Sequence, residues 1–205
     1  TTLIWTADGS EQTLTTGFDP DFLWYKRRNG TGDHYLIDAL RGVGGGSYAL
    51  NTNNDDAEGG GGNADILGTN GFTLNAGASG ETQVGWSWKA GGSGSSNSDG
   101  SITSSVSASQ EAGFSIVTYT GTGSAATVGH GLGAVPQWII IKKRSASADW
   151  QVGHEDVGFT KALFLNLTNA PATDDDYFND TAPTSTVFSL KNHNQSNASS
   201  ATYVA

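Results

Sequence analysis

One stretch of this chain occurs twice, and that repetition constrains the fold more than any other feature. Gly17-Phe18-Asp19-Pro20-Asp21-Phe22-Leu23-Trp24-Tyr25-Lys26-Arg27-Arg28 returns as Gly131-Leu132-Gly133-Ala134-Val135-Pro136-Gln137-Trp138-Ile139-Ile140-Ile141-Lys142-Lys143-Arg144. Each copy passes from a glycine turn through a proline into four bulky apolar residues and then three cations. With a side-chain period of two, Phe22 and Trp24 face one way and Leu23 and Tyr25 the other, so the stretch reads as a core strand buried on both faces. Proline at the strand start does least harm to a ladder, and the cations are expected to mark where the strand leaves the core for water.

The matches extend outward from this anchor. Thr6, Gly9, Ser10, Thr13 and Gly17 fall on Thr120, Gly123, Ser124, Thr127 and Gly131, and Lys26, Arg28, Asp33 and Gly42 fall on Lys142, Arg144, Asp149 and Gly158. Leu50-Asn51 falls on Leu165-Asn166, Phe72-Thr73-Leu74 on Phe188-Ser189-Leu190, and Thr82-Gln83-Val84-Gly85 on Thr202-Tyr203-Val204-Ala205. Matches kept in order across small insertions point to duplication of one folding unit. Units of about 90 residues can be two packed domains or two halves of a larger sandwich. We expect two similar domains: residues 1–91, a Gly/Ser-rich flexible linker at 92–100, and residues 101–205. The first copy continues past its Val84 through Trp86-Ser87-Trp88-Lys89-Ala90, and the chain has no Met, so the sequence is expected to be a piece of a longer polypeptide.

The expected fold class is all-β, with an antiparallel β-sandwich of jelly-roll or lectin-like type in each unit. Glycine is 29 of 205 residues and charged residues only 15%, which suits short strands and turns better than helices. Residues 2–6 and 11–16 are expected to form a hairpin around Asp8-Gly9-Ser10, and further strands are expected at 34–40, 72–74, 81–90, 101–109, 114–119, 126–129, 137–144, 150–154, 162–167, 186–190 and 201–205. The glycine run at 42–47 is too rich in glycine for the interior of an element.

A net charge of −10 argues against a nucleic-acid binder and against attraction to an anionic membrane, and no apolar run is long enough to span one. Without cysteine there are no disulfides, thiolate metal sites or cysteine nucleophiles. The four histidines, His34, His130, His154 and His193, have no helical metal-binding spacing, and no serine sits in a nucleophile elbow. The glycine groups at 42–46 and 59–62 lack the strand-to-helix context of a phosphate cradle. No catalytic residues are assigned, and glycoside hydrolysis by a facing carboxylate pair is kept only as a third reading.

Two acidic loops occupy corresponding places in the repeat. Asp55, Asp56 and Glu58 in one, and Asp174, Asp175 and Asp176 in the other, are dense in the hard oxygen ligands that Ca²⁺ takes. Solvated loops are the favoured reading, with calcium the alternative and no other cofactor expected. Most of the tryptophans are expected to fill cores. Tyr35, Trp150 and Tyr177 are the candidates for an exposed sugar-stacking platform, where a ring offers an apolar face beside amides and acids.

Several motifs together resemble a family. Gly-Phe-x-Pro-Asp-Phe-Leu-Trp-Tyr-Lys-Arg-Arg at 17–28, Asn-Gly-Phe-Thr-Leu at 70–74, Val-Gly-Trp-Ser-Trp-Lys-Ala-Gly at 84–91, Gly-Phe-Ser-Ile-Val-Thr-Tyr-Thr-Gly at 113–121 and Gly-His-Gly-Leu-Gly-x-Val-Pro at 129–136 resemble a repeated domain in tail and other virion structural proteins of aquatic tailed bacteriophages. The Gly-x-x-x-Pro strand rhythm and the Trp-x-Trp strand are also similar to H-type lectin sandwiches. The resemblance implies a virion protein, of the tail-fibre, tail-tip or adhesin kind, that binds a host surface glycan or protein. Its partners would be other virion proteins or copies of itself, as a homo-oligomer. The alternative is a purely structural module, such as a capsid decoration, spacer or filament subunit.

Overall fold

The computed structural model describes residues 1–42, 48–59, 61–62 and 64–205. The glycine run expected to be irregular at 42–47 lies outside the described residues from 43 onward, as does Gly60 of the 59–62 group. The chain is all-β and its named strand pairs are antiparallel, with no helix among the described residues.

The described residues form four sheets. The first has the order β1 (Thr2–Thr6), β8 (Thr82–Trp88), β3 (Phe22–Arg27), β4 (His34–Asp38), β5 (Leu50–Asn51). Beside it lies a three-stranded sheet of β2 (Gln12–Thr15), β7 (Gly71–Leu74) and β6 (Ala64–Gly68). The largest sheet runs β16 (Ala172–Thr173), β15 (Lys161–Phe164), β14 (Gln151–His154), β13 (Trp138–Lys143), β18 (Thr202–Val204), β11 (Phe114–Thr120), β10 (Ser104–Ser109), β9 (Ser95–Asn97). A two-stranded sheet pairs β12 (Ala126–Gly129) with β17 (Val187–Leu190). Read from β1 and from β11, the inner orders correspond strand for strand: β1-β8-β3-β4-β5 and β11-β18-β13-β14-β15.

The period of two along each inner strand explains how the sheets stack. Leu23 and Tyr25 of β3 point with Trp5 and Ile37 onto Phe72 and Leu74 of β7, closing a first core. Ile139 and Ile141 of β13 point with Val117, Tyr119 and Tyr203 onto Val128, Phe188 and Leu190, closing a second. The opposite faces meet each other. Leu36, Leu50, Ala90 and Phe22 from the first half pack against Ile116, Trp150, Val204, Phe114 and Ile140 from the second in a third, shared core. A strand apolar on both faces is the natural occupant of an inner sheet covered on both sides, and the repeated stretch supplies it in each half.

Two local expectations are corrected. The hairpin of residues 2–6 with 11–16 is not formed: β1 pairs with β8 and β2 with β7, because the turn, with Gly9 at φ 91°, carries the chain from one sheet to the sheet facing it. The stretch expected to be a flexible linker holds β9, whose Ser95–Asn97 pair with Ser104–Val106 of β10. Its glycines permit close backbone approach. A Cβ on Gly91 would lie 2.6 Å from the Ala108 carbonyl oxygen, and one on Gly100 would lie 2.4 Å from that of Thr127.

Candidate functional site

The acidic loop after β5 fastens the two halves together. The Glu58 backbone N–H donates to the Arg144 carbonyl at 2.9 Å, and its carboxylate accepts from Arg144 Nε and Nη2 at 3.0 and 2.8 Å. The same carboxylate accepts from Arg41 Nη1 at 2.6 Å, and Arg41 Nε donates to Asp38 at 2.5 Å. Three residues earlier, the Asp55 carbonyl accepts from the Ala148 N–H at 2.8 Å and from Lys142 Nζ at 2.9 Å. The Asp55 carboxylate takes the Ser147 hydroxyl at 2.5 Å, a bond that lowers its pKa.

Asp55, Asp56 and Glu58, the first set of candidate calcium ligands, have other neighbours here. The Asp55 carboxylate takes the Ser147 hydroxyl, that of Glu58 is shared between Arg144 of the facing half and Arg41 of its own, and Asp56 is exposed. Asp174, Asp175 and Asp176 do come together, with ligand atoms within 4.8 Å of one another. Lys191 pairs with both Asp175 and Asp176, so its ammonium already supplies the positive charge such a cluster needs, and the two carboxylates raise its pKa.

The second set of cations is also corrected. Rather than marking an exit to water, Lys142 is 0% exposed, and its Nζ donates to the Ala148 carbonyl at 2.5 Å as well as to Asp55, while lying 5.8 Å from the Trp150 ring centroid. Burial lowers its pKa to about 8, against the opposing pull of Asp55 and Asp149. Lys143 is buried too and donates to Asn194 Oδ1 at 2.8 Å. Only the first copy behaves as expected, with Arg28 exposed.

Of the three sugar-platform candidates, two are inside. Trp150 is 2% exposed, and its indole N–H donates to the Asn51 carbonyl at 2.9 Å, which is why a tryptophan at a sheet interface can be buried without stranding its polar atom. Tyr177 is buried against Phe164 and the His193 ring. Tyr35 is half-buried, its ring 5.3 Å from that of Tyr25. The three do not form one surface.

The most exposed aromatic among the described residues is Trp138, at 53%, which the strand pattern places in a core. It stands at a groove of about 380 Å³ lined by Phe22, Trp24, Trp88, Phe114 and Trp138, with His130 on the wall. Phe114 stacks on Trp88 at 5.8 Å and meets Phe22 edge-on at 5.2 Å. His130 is fixed as the neutral tautomer protonated on Nε2: Nε2 faces the Thr184 carbonyl at 3.1 Å and Nδ1 accepts from the Leu132 N–H at 3.2 Å. Burial lowers its pKa. The groove is an apolar recess with one neutral imidazole, suited to binding an apolar or aromatic-faced occupant.

One family model matches the chain over residues 1–205, that of the domain of unknown function DUF7483. No curated protein matches the chain, and no solved structure does.

Proposed function

The chain belongs to the DUF7483 family over its whole length, and from that premise we propose that it is a structural, non-catalytic module of a tailed-bacteriophage virion protein, acting as a rigid duplicated β-block within a fibre or tail-tip polypeptide. The observation that carries this is the stacking of two sheets with corresponding strand orders around a shared core, fastened at the rim by Glu58 between Arg41 and Arg144. Such a block holds position and presents its loops. The repeated motifs support descent of both halves from one module, and the family resemblance supports the virion setting. Ion pairs occupy Asp21, Asp38 and Glu58, opposite Lys89, Arg41 and Arg144, and this weighs against the glycan depolymerase reading for these acids.

A second reading, direct host attachment through a surface glycan or protein, is favoured by one feature. Trp24 and Trp86 lie side by side on neighbouring strands, ring centroids 6.1 Å apart, on a part of the sheet face where both stay partly accessible. Isolated protein applied to host cells and to a glycan array separates the two. Saturable binding that falls when Trp86→Ala is introduced makes this an attachment surface. Absence of binding, together with incorporation of the protein into purified virions, leaves the structural role. Absence from virions overturns both.

A further inference from the structure

The eight-stranded sheet contains a gap. β18 pairs with β11 at Thr118–Thr120 and with β13 at Lys142 and Lys143, and Ala205 exchanges two backbone bonds of 2.8 Å with Val117. Beyond that point β11 extends to Phe114 and β13 to Trp138, each with its far edge taken by β10 or β14, and among the described residues no strand lies between them. In the five-stranded sheet the corresponding central strand is seven residues long, and β8 runs between β1 and β3 as far as Trp86↔Thr2 and Trp88↔Phe22. The aromatic groove is this gap. Phe114, Ile116 and Val117 form one bank, Trp138 and Ile140 the other, and Ala205 its closed end.

We propose that the groove is a strand-acceptor slot, and that its occupant is an extended segment joined directly to Ala205. Two facing edges present backbone donors and acceptors, which an added strand satisfies on both sides at once. Register and direction are already set. With Lys142 and Thr118 both opposite Val204, the second residue onward in an antiparallel ladder stands opposite Ile140 and Ile116, and the fourth opposite Trp138 and Phe114. Those two positions face the shared core and take large apolar side chains, as Trp86 and Trp88 do in β8. The alternating positions face Phe188 and take small ones, as Gly85 and Ser87 do. A segment tethered at Ala205 enters this ladder in alignment, at an effective concentration that a separate chain does not reach.

The test adds Trp-Ser-Trp-Lys-Ala, the sequence of residues 86–90, after Ala205 of the 205-residue protein, so that Ala205 takes the place of Gly85 and the two tryptophans fall opposite Ile140 and Trp138. A second version carries Pro-Ser-Pro-Lys-Ala, which cannot form the ladder. The tryptophan extension slows amide hydrogen exchange along 114–116 and 139–141 by roughly tenfold or more, raises Tm and shifts Trp138 fluorescence to the blue, while the proline extension does none of these. The proposal fails if the tryptophan extension leaves exchange and Tm unchanged, or if the proline version protects equally. It also fails if the free pentapeptide protects the slot while the tethered one does not, since the occupant then comes from another chain. None of these outcomes depends on whether the protein belongs to a virion.

Discussion

Lys26 and Lys142 hold the same position in the repeated stretch and have opposite fates. Lys26 stays half-buried at the end of β3, whereas Lys142 is sealed beneath Asp55, which lies 87 positions away in sequence. Its pKa of about 8, against 10.5 for the free side chain, fixes the sign of a pH effect. Between these values the folded protein gives up the proton before the unfolded chain does, so the unfolded state binds more protons and stability rises with pH. The rise amounts to at most about 3 kcal/mol. Above pH 10 the buried phenols Tyr119 and Tyr203, whose pKa values burial raises, pull the other way. Urea titrations from pH 7.5 to 9.5 show the upward slope, and Lys142→Met flattens it. Glu58 is the other residue whose role depends on the fold: Glu58→Gln leaves Arg144 and Arg41 short of a countercharge and lowers unfolding free energy by about 2–3 kcal/mol, whereas exposed Asp56→Asn changes it by under about 0.5. Neither role was legible in the sequence. An acidic loop and a basic strand end both look solvated until the halves are docked, and the candidate ligands Asp55 and Glu58 proved to be that docking. Trp150 misled for the same reason, because its partner, the Asn51 carbonyl, belongs to the other half.

Strands were more legible than side-chain roles, since alternation is a local property. Phe22–Arg27 and Trp138–Lys143 were identifiable as inner strands from apolar residues on both faces, and β8 from Val84, Trp86 and Trp88 on one face. Pairing was less legible. Two strands joined by a good turn look like a hairpin, and nothing in residues 2–16 says that β1 and β2 belong to different sheets. Glycine was the most ambiguous signal of all: composition reads residues 92–100 as a tether, yet Gly100 is there because the Thr127 backbone passes too close for a Cβ. This gives an element-scale prediction. A free linker tolerates Gly100→Ala or gains slightly from lost chain entropy, but here the backbones must part, with loss of the Ile102 N–H bond to the Thr127 carbonyl at 3.0 Å. Gly100→Ala therefore lowers stability by about 1–3 kcal/mol, measured by denaturant midpoint, while Gly→Ala at Gly32, which has open space around it, serves as the tolerant control.

At the scale of the molecule, the repeated sequence is read as two similar domains, 1–91 and 101–205, rather than two halves of one larger sandwich. The layers bear on this directly. Each half has its own outer core, but the inner faces of both sheets are apolar and cover each other, so either half alone would expose Leu36, Leu50 and Phe22 or Ile116, Trp150 and Val204 to water. Exposed patches of that kind destabilise and aggregate an isolated unit. The shared core, the Glu58 contacts and the pinned 91–100 segment all act between halves, so losing one half removes support from the other. Calorimetry of residues 1–205 is expected to give one transition. Leu50 is fully buried in the shared core, and Leu50→Ala should cost about 2–5 kcal/mol and move that transition as a whole. Hydrogen exchange distinguishes this from two weakly linked domains: in the mutant, protection falls together in β7 of the first half and β17 of the second. Two transitions, of which only one shifts, would mean that the stacked faces are a contact between autonomous units.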